Sequence, residues 1–157
     1  MNKYDEGMAI LNEKFGNCKD NIIALATIAP EPNADGRPRP AVRDMDAYYE
    51  DGVFYCVTHA KSNKIQEIER NNEVAFSVCR EWFNGSGIAE NLGWVLKPEN
   101  AGLRDKLRKA FADWYDHANN EQDENCCFLA IRLTKGVINI NHWEKLYYMD
   151  FVNKVEG

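Results

Sequence analysis

The spacing of apolar residues changes along the chain between helical and extended periods, and this change predicts the order of the elements. A first helix is predicted over 3–15, where helical spacing separates Met8, Leu11 and Phe15. The apolar, β-branched run NIIALATIA predicts a strand over 21–29. The turn formers of PEPNADGRP come next, so we expect this strand to begin a hairpin.

Two further strands complete an antiparallel meander. RPAVRDMDAYY predicts a strand over 39–49 and VFYCVT another over 53–58, with the tight turn EDG between them. The segment SNKIQEIERN places Ile65 and Ile68 on one face and charged residues on the other, which is typical of a short amphipathic helix. EVAFSVCREWF then predicts a fourth strand over 73–83.

The second half of the chain predicts a helical insertion and two more strands. A glycine-containing loop is expected over 84–94, followed by a proline-opened helix over 98–118. Strands are predicted over 126–140 and 145–152. Six strands, mostly joined by hairpins, predict a mainly β protein with helices at the N-terminus, after strand 3 and between strands 4 and 5. We expect one domain spanning 1–157, built as a small antiparallel barrel.

Composition and charge narrow the class of protein. The chain has 157 residues, with 19 Lys and Arg against 25 Asp and Glu, so its formal net charge is −6. A general nucleic-acid binder is therefore not expected, because phosphate backbones require a basic surface. The N-terminus is charged and amphipathic, and no apolar run has the length of a membrane span, so we expect a soluble cytoplasmic protein without membrane contact.

Cysteine and histidine spacing indicates neither disulfides nor a metal site. The five cysteines include the adjacent pair Cys126 and Cys127 but no C-x-x-C motif, which favours reduced thiols, with this pair in the core. The three histidines are scattered without ligand spacing, so no metal is expected.

The junction between the strand over 53–58 and the next helix carries the first candidate chemistry. Its sequence VTHAKSNK places Lys61 and Lys64 near the positive end of the helix dipole, which disfavours cations and attracts anions. If Ser62 is the N-cap, the first helical amides, the Ser hydroxyl and the Lys64 ammonium match the requirements of a phosphate. In the alternative interpretation, Ser62 only caps the helix and both lysines extend into water.

A second basic feature lies on the strand over 39–49. Strand alternation places Arg39, Ala41 and Arg43 on one face. The two arginines are about 13 Å apart at about 3.3 Å per residue, so both cannot grip the same phosphate. Either one meets a phosphate while the other faces another part of a long ligand or solvent, or both form a solvated stripe.

The order of these features over 24–78 resembles the pyridoxamine-phosphate-oxidase-like family of split β-barrels that bind flavin mononucleotide (FMN). The shared order is a strand, a D-G-x-P turn, an Arg-bearing strand, a D-G turn, an aromatic strand ending in Thr, Ser-x-Lys, a helix and an Asn-x-x-Val strand. The remaining chain resembles a subgroup with a long helical insertion. The resemblance implies a six-stranded antiparallel split β-barrel.

The resemblance also implies roles for residues of the strand-to-helix junction. Thr58, Ser62 and Lys64 match positions that contact the flavin phosphate and ribityl chain. Asn63 stands where the oxidase itself has a basic residue. One phosphate contact of that enzyme is therefore weakened or moved here, and one of the two strand arginines is expected to supply the charge.

Family members are homodimers with the flavin at the subunit interface, so the resemblance implies that an aromatic residue from either chain walls the isoalloxazine ring. Trp82, Phe83 and Trp94 are the candidates, and the alternative is that they are ordinary core or interface aromatics. The C-terminal segment NHWEKLYYMDFVNKVEG lacks the Arg-x-His-Asp-Arg-type segment of true pyridoxamine-phosphate oxidases. Vitamin-B6 oxidase activity is therefore not expected.

These features predict an FMN-binding oxidoreductase that acts on a small molecule, with hydride from NAD(P)H or another donor. No side chain stands out as an acid or base. The alternative is a non-catalytic flavin or redox-cofactor protein acting in carriage, sensing or stress response. Two further hypotheses remain. In the first, the chain resembles a nitroimidazole-reductase-like branch that carries a histidine at a position roughly matched by His59. In the second, the barrel binds haem through His59 or His142.

Overall fold

The computed structural model describes residues 2–157, which form four α-helices and eight strands. The helices are α1 (Lys3–Phe15), α2 (Asn63–Arg70), α3 (Ala101–Ala110) and α4 (Tyr115–Ala118). The strands are β1 (Asn21–Ala29), β2 (Arg39–Glu50), β3 (Val53–His59), β4 (Glu73–Val78), β5 (Phe83–Trp94), β6 (Cys126–Ile140), β7 (Lys145–Asp150) and β8 (Val155–Glu156). Within residues 2–157, no helix is long and apolar enough to cross a lipid bilayer.

Strands β1 to β6 close into a six-stranded antiparallel barrel. Their order is β3-β2-β1-β4-β5-β6, and β3 pairs back onto β6. β6 has 15 residues, so one of its edges pairs first with β3 over 126–132 and then with β7 over 135–140. The predicted fold class, mainly β with α and a six-stranded antiparallel barrel, is confirmed.

The predicted meander and its flanking helices are also confirmed. The β2–β3 hairpin turns at Asp51 and Gly52, which both have positive φ, as a two-residue hairpin with the right-handed twist of its strands requires. α2 buries Ile65 and Ile68, the two residues that its amphipathic pattern selects.

Two predicted strands and one predicted loop differ from the structure in extent, type or place. The strand expected over 73–83 ends at Val78, and the loop expected over 84–94 is strand β5. The barrel strand that the sequence did not predict is therefore β5. The predicted last strand over 145–152 is β7, which pairs with β6 outside the closed barrel. The helical insertion lies between β5 and β6 and begins only at Pro98.

Glycines occur in β5 because its backbone runs against β6. A Cβ added at Gly85 would overlap the Lys135 carbonyl and lie 2.7 Å from the Gly136 Cα. Glycine is a turn signal in a sequence, but here it permits close approach between strands. Because glycine is common both in turns and at such close contacts, the composition of the β5 segment alone favours a loop.

A pair of alanine substitutions tests the role of Gly85. Gly85→Ala is expected to destabilise the protein by about 1–3 kcal/mol, because the new methyl group meets backbone that has to move. Gly102→Ala is the control, since Gly102 lies on α3 with open space around it. There alanine is expected to stabilise by up to about 1 kcal/mol. Chemical denaturation measures both changes, and equal effects would contradict the close packing of β5 on β6.

The predicted helix over 98–118 is interrupted. A turn at 111–114 separates α3 from α4. Phe111 and Tyr115 are both buried, and Trp114 stacks on Phe111 at 4.8 Å between ring centroids.

The buried side chains form two clusters on opposite faces of the barrel wall. The larger cluster fills the barrel and includes Leu11 and Phe15 of α1. The smaller one lies between the wall and the insertion and includes Leu107 and Phe128. Adjacent Cys127 and Cys126 belong to the larger and the smaller cluster, respectively. Burial raises the pKa of both thiols to about 11, so they are core sulfur, as predicted.

Candidate functional site

The barrel wall opens between β2 and β3, and the opening forms a cleft. The two strands pair only from Tyr48–Glu50 to Val53–Tyr55. Beyond that point β2 continues along β1 and β3 along β6. The gap has a volume of about 580 Å³ and is named here the β2–β3 cleft. Its lining consists of Arg43, Asp44, Met45, Asp46, Val57, Thr58, His59, Lys64, Trp114, Ala118, Asn119, Asn120, Asp123 and Cys126.

The structure brings Thr58 and Lys64 together in the cleft. The Lys64 Nζ donates to the Thr58 Oγ1 at 3.2 Å. Burial lowers the pKa of Lys64, and the nearby Arg43 charge lowers it further. Among residues 2–157, no carboxylate lies within salt-bridge distance of Lys64. Lys64 is thus a half-buried cation that faces the cleft without an acidic partner, rather than a lysine extended into water.

Arg43 also reaches the cleft, but its charge is already neutralised. Its guanidinium donates to Glu67 Oε1 at 2.8 Å, to Thr27 Oγ1 at 2.7 Å and to the Leu25 carbonyl at 3.2 Å. The Glu67 side chain is only 6% exposed. Arg43 therefore joins β2 to α2 and neutralises a buried acid.

Arg39 and Asn63 lie in a different depression on the other side of the start of α2. This second groove measures about 380 Å³. Arg39 is exposed there, and its Nε donates to the Glu31 carbonyl at 3.3 Å. Arg43 also borders this groove. The structure thus separates Arg39 from the Thr58 and Lys64 pair, in keeping with the spacing argument from the sequence.

Ser62 occupies the predicted N-cap position of α2, with φ −66° and ψ 156°. Its hydroxyl makes no capping hydrogen bond, and its Oγ is buried without any partner in residues 2–157. The interpretation that Ser62 only caps the helix is therefore wrong. The hydroxyl does not line the cleft.

None of the three candidate aromatics lines the cleft within this chain. Trp82 is 54% exposed in the turn between β4 and β5, with its ring 5.4 Å from that of His142. Phe83 is fully buried and stacks on Phe15, which excludes it as a ligand wall. The Trp94 indole donates to the Glu121 carbonyl at 2.8 Å and packs in the smaller core cluster.

The insertion supplies cleft residues that sequence reasoning missed. Trp114, Asn119, Asn120 and Asp123 form the wall opposite β2. The acidic run NNEQDEN gives no local signal for this role, because a solvated loop has the same composition. Only the path of the chain across the cleft reveals it.

His59 and Asp123 form a polar pair at the cleft. The Lys61 backbone N–H donates to His59 Nδ1 at 3.2 Å. In neutral His59 the proton therefore lies on Nε2, which donates to Asp123 Oδ2 at 3.0 Å. The Asn125 backbone N–H and then His59 lower the pKa of Asp123. Both imidazole nitrogens are engaged, so neither is free to ligate a metal or haem iron in this state.

A network centred on Glu121 holds the insertion in place. The Glu121 carboxylate accepts from Arg104 at 2.6 Å, from Arg108 at 2.9 Å and from the Tyr115 hydroxyl at 3.1 Å. The hydrogen bond from Arg104 is the main reason why the pKa of Glu121 is lowered. The network therefore joins α3 and α4 to the loop that precedes β6.

Neither a protein-family model nor a curated protein matches this sequence. Solved structures do match its fold. A heme binding protein from Mycobacterium smegmatis is 10% identical with a TM-score of 0.62, over 97% of this chain and 58% of that one. A putative pyridoxamine 5'-phosphate oxidase from Listeria innocua is 15% identical with a TM-score of 0.58, over 88% of this chain and 98% of that one. A FAD-binding protein from Mesorhizobium loti is 16% identical with a TM-score of 0.55, over 74% and 83%.

At these identities the likeness shows fold and nothing finer. It agrees with the resemblance found in the sequence and with the six-stranded closure of β1 to β6. The chain is a split β-barrel of the architecture shared by these pyridoxamine-phosphate-oxidase-like and cofactor-binding proteins.

Proposed function

We propose that the β2–β3 cleft binds the phosphate end of a flavin-type cofactor, with FMN as the specific candidate, and that the protein is an oxidoreductase acting on a small molecule. The observation that carries this proposal is Lys64, a half-buried ammonium beside the Thr58 hydroxyl, which lacks an acidic partner among residues 2–157 and faces a cleft of about 580 Å³. A desolvated cation is costly to maintain unless an anion compensates it.

The residues at the start of α2 fit a phosphate. The first amides of a helix attract anions, and α2 has no acidic residue in its first turn to occupy that position. The buried Ser62 hydroxyl, which has no partner, is a further donor that a side-chain rotation would bring to a phosphate. The cleft volume lies within the range of about 300–1,000 Å³ typical of small-ligand sites.

The acidic side chains of the cleft restrict where an anion binds. Asp44 and Asp46 lie on β2, and Asp123 lies on the insertion. Their charges disfavour a phosphate, whereas Lys64 and Thr58 favour it. In the proposal the phosphate therefore lies at the α2 end, and the remainder of the ligand extends toward Trp114.

When bound, a flavin supplies the electron transfer, and the chain supplies position and electrostatics. The names of the FAD-binding protein and the putative oxidase of the same fold support this choice of cofactor. The heme binding protein supports a different one. His59 does not favour haem ligation, because both of its nitrogens are already hydrogen-bonded.

We also propose that the protein is a homodimer. Trp82 is exposed and lies away from the cleft of its own chain, so it contributes to a flavin site only if a second chain presents it. Sedimentation-velocity measurements on the wild-type protein and Trp82→Ala test this arrangement. A monomer at every concentration would contradict it.

Titration of the purified protein with FMN tests the cofactor assignment. Saturable quenching of flavin fluorescence is expected, because the Trp114 indole lines the cleft and can donate an electron to an excited isoalloxazine ring. Bleaching of the bound flavin by NADH, with recovery of colour in air, would support the oxidoreductase. Stable colour under NADH would instead support the non-catalytic binding protein, and absence of FMN binding would contradict both.

A further inference from the structure

Two carboxyl groups from separate segments meet at the β2–β3 cleft. Asp46 lies on β2 and lines the cleft. Asp20 precedes β1, where Ile22 lies opposite Asp46 of β2; burial raises the pKa of Asp46, and the nearby Asp20 carboxyl raises it further. Asp20 Oδ2 also accepts the Trp114 indole N–H at 2.8 Å, which connects the pair to the insertion wall.

One oxygen of this pair lacks a partner unless a proton is present. Asp20 Oδ1 is buried, and no donor within residues 2–157 reaches it. An ionised carboxylate only accepts hydrogen bonds, so two ionised carboxylates cannot bond to each other. A proton on Asp46 supplies the missing donor. The indole N–H stabilises negative charge on Asp20, which places the charge on Asp20 and the proton on Asp46.

The acid strength of Asp46 agrees with this arrangement. Burial raises the pKa of Asp46 to about 6, and the hydrogen bond with Asp20 and the Asp20 charge add to this effect. Of the two carboxyl groups, Asp46 is therefore the one whose ionised form is disfavoured.

We propose that Asp20 and Asp46 share one proton and that the cleft takes up a proton into this pair when it binds an anion. The shared proton requires no ligand, because it involves only Asp20, Asp46 and the Trp114 indole. The coupling to an anion rests on the proposed function, because it requires a negatively charged ligand in the same cleft.

Lys64 is the cation that lines the same cleft as Asp46 and has no acidic partner among residues 2–157. Arg43 is neutralised by Glu67, and His59 is hydrogen-bonded to Asp123. Asp44 is exposed on the neighbouring strand position. Burial raises the pKa of Cys56 to about 12 and that of Cys126 to about 11, so both thiols are neutral. An anion bound beside Lys64 adds negative charge to the cleft that Asp46 lines.

The sign of the coupling follows from linkage. An anion beside Asp46 disfavours its ionised form, so the pKa of Asp46 rises further in the complex. At pH 7 binding is then accompanied by proton uptake, and affinity falls as pH rises from 6 to 8. Below pH 5 the pair is already protonated, so the coupling disappears.

The free protein offers a readout that needs no ligand. The pKa of Asp46 is higher in the folded protein than in the unfolded chain. The folded state therefore binds more protons, and the contribution of Asp46 to stability is lost as pH rises through about 6. Asp46→Asn keeps a donor for Asp20 at every pH and is expected to be more stable than the wild type at pH 8.

The first experiment compares thermal unfolding of wild type, Asp46→Asn and Asp44→Asn from pH 4.5 to 8. Asp44 is the matched control, because it also lines the cleft on β2 but does not bond to Asp20. The gap in Tm between Asp46→Asn and wild type is expected to widen as pH passes 6, while Asp44→Asn runs parallel to wild type. Parallel profiles for all three proteins would overturn the proton-sharing pair.

The second experiment measures FMN binding by calorimetry in two buffers of different ionisation enthalpy. The FMN phosphate titrates itself near pH 6, so the difference between wild type and Asp46→Asn isolates the pair. Wild-type affinity relative to Asp46→Asn is expected to fall about threefold to tenfold from pH 6 to 8. Equal proton uptake by the two proteins would overturn the coupling. If FMN does not bind at all, the proposed function and the coupling both fail, and the pair is judged by unfolding alone.

Discussion

Lys64→Glu is expected to weaken FMN binding by about a hundredfold or more. The substitution removes a charge-assisted hydrogen bond worth about 1.5–3 kcal/mol and places a carboxylate against the phosphate. Each 1.4 kcal/mol or so changes affinity about tenfold. Folding is expected to change little, because an acidic residue suits the start of a helix and α2 has none in its first turn. Fluorescence titration measures the affinity, and thermal unfolding checks the fold.

Lys61→Glu is the matched control for this variant. Lys61 lies three residues before Lys64 in the turn that precedes α2, carries the same charge and is exposed outside the cleft lining. Its substitution makes the same change in net charge, so it reports only on screened, long-range electrostatics. A comparable loss of affinity in both variants would mean that net charge, and not the position of Lys64, controls binding. Unchanged affinity in Lys64→Glu would place the anion elsewhere.

Arg43→Met is expected to lower the free energy of unfolding by about 3 kcal/mol or more, because breaking a buried ion pair leaves an uncompensated charge. The charge is that of Glu67, whose side chain is 6% exposed. Arg43 is 22% exposed, so the lower part of the usual range of about 3–5 kcal/mol applies. Chemical denaturation measures the loss.

Two further variants separate a structural role from a ligand contact. Arg39→Met changes an exposed arginine on the same strand and is expected to alter stability by less than about 0.5 kcal/mol. Replacing the pair together, Arg43→Met with Glu67→Leu, is expected to recover most of the loss, since both charges are then removed. Wild-type stability combined with lost FMN affinity in Arg43→Met would show instead that Arg43 meets the ligand.

The sequence predicted the N-terminal helix, the meander and the amphipathic helix after it because each depends on a local signal. Helical spacing at Leu11 and Phe15 and the Asp-Gly turn at 51–52 are examples that need no distant partner. Strand β5 was missed for the opposite reason. Its glycines are required by contact with β6, more than 40 positions later, and no local pattern carries that information.

The same distinction between local signals and distant contacts applies to the candidate site. The sequence by itself determined the cluster of donors at the start of α2 and the positions of both arginines, because residue type and strand alternation fix them. Tertiary structure alone decided what those groups do. In the folded chain Arg43 forms an ion pair with Glu67, and Lys64 has no acidic partner among residues 2–157. The fold also brings Asp20, Asp46 and Trp114 together. Charge compensation depends on distances across the fold, and those distances exist only once the barrel has closed.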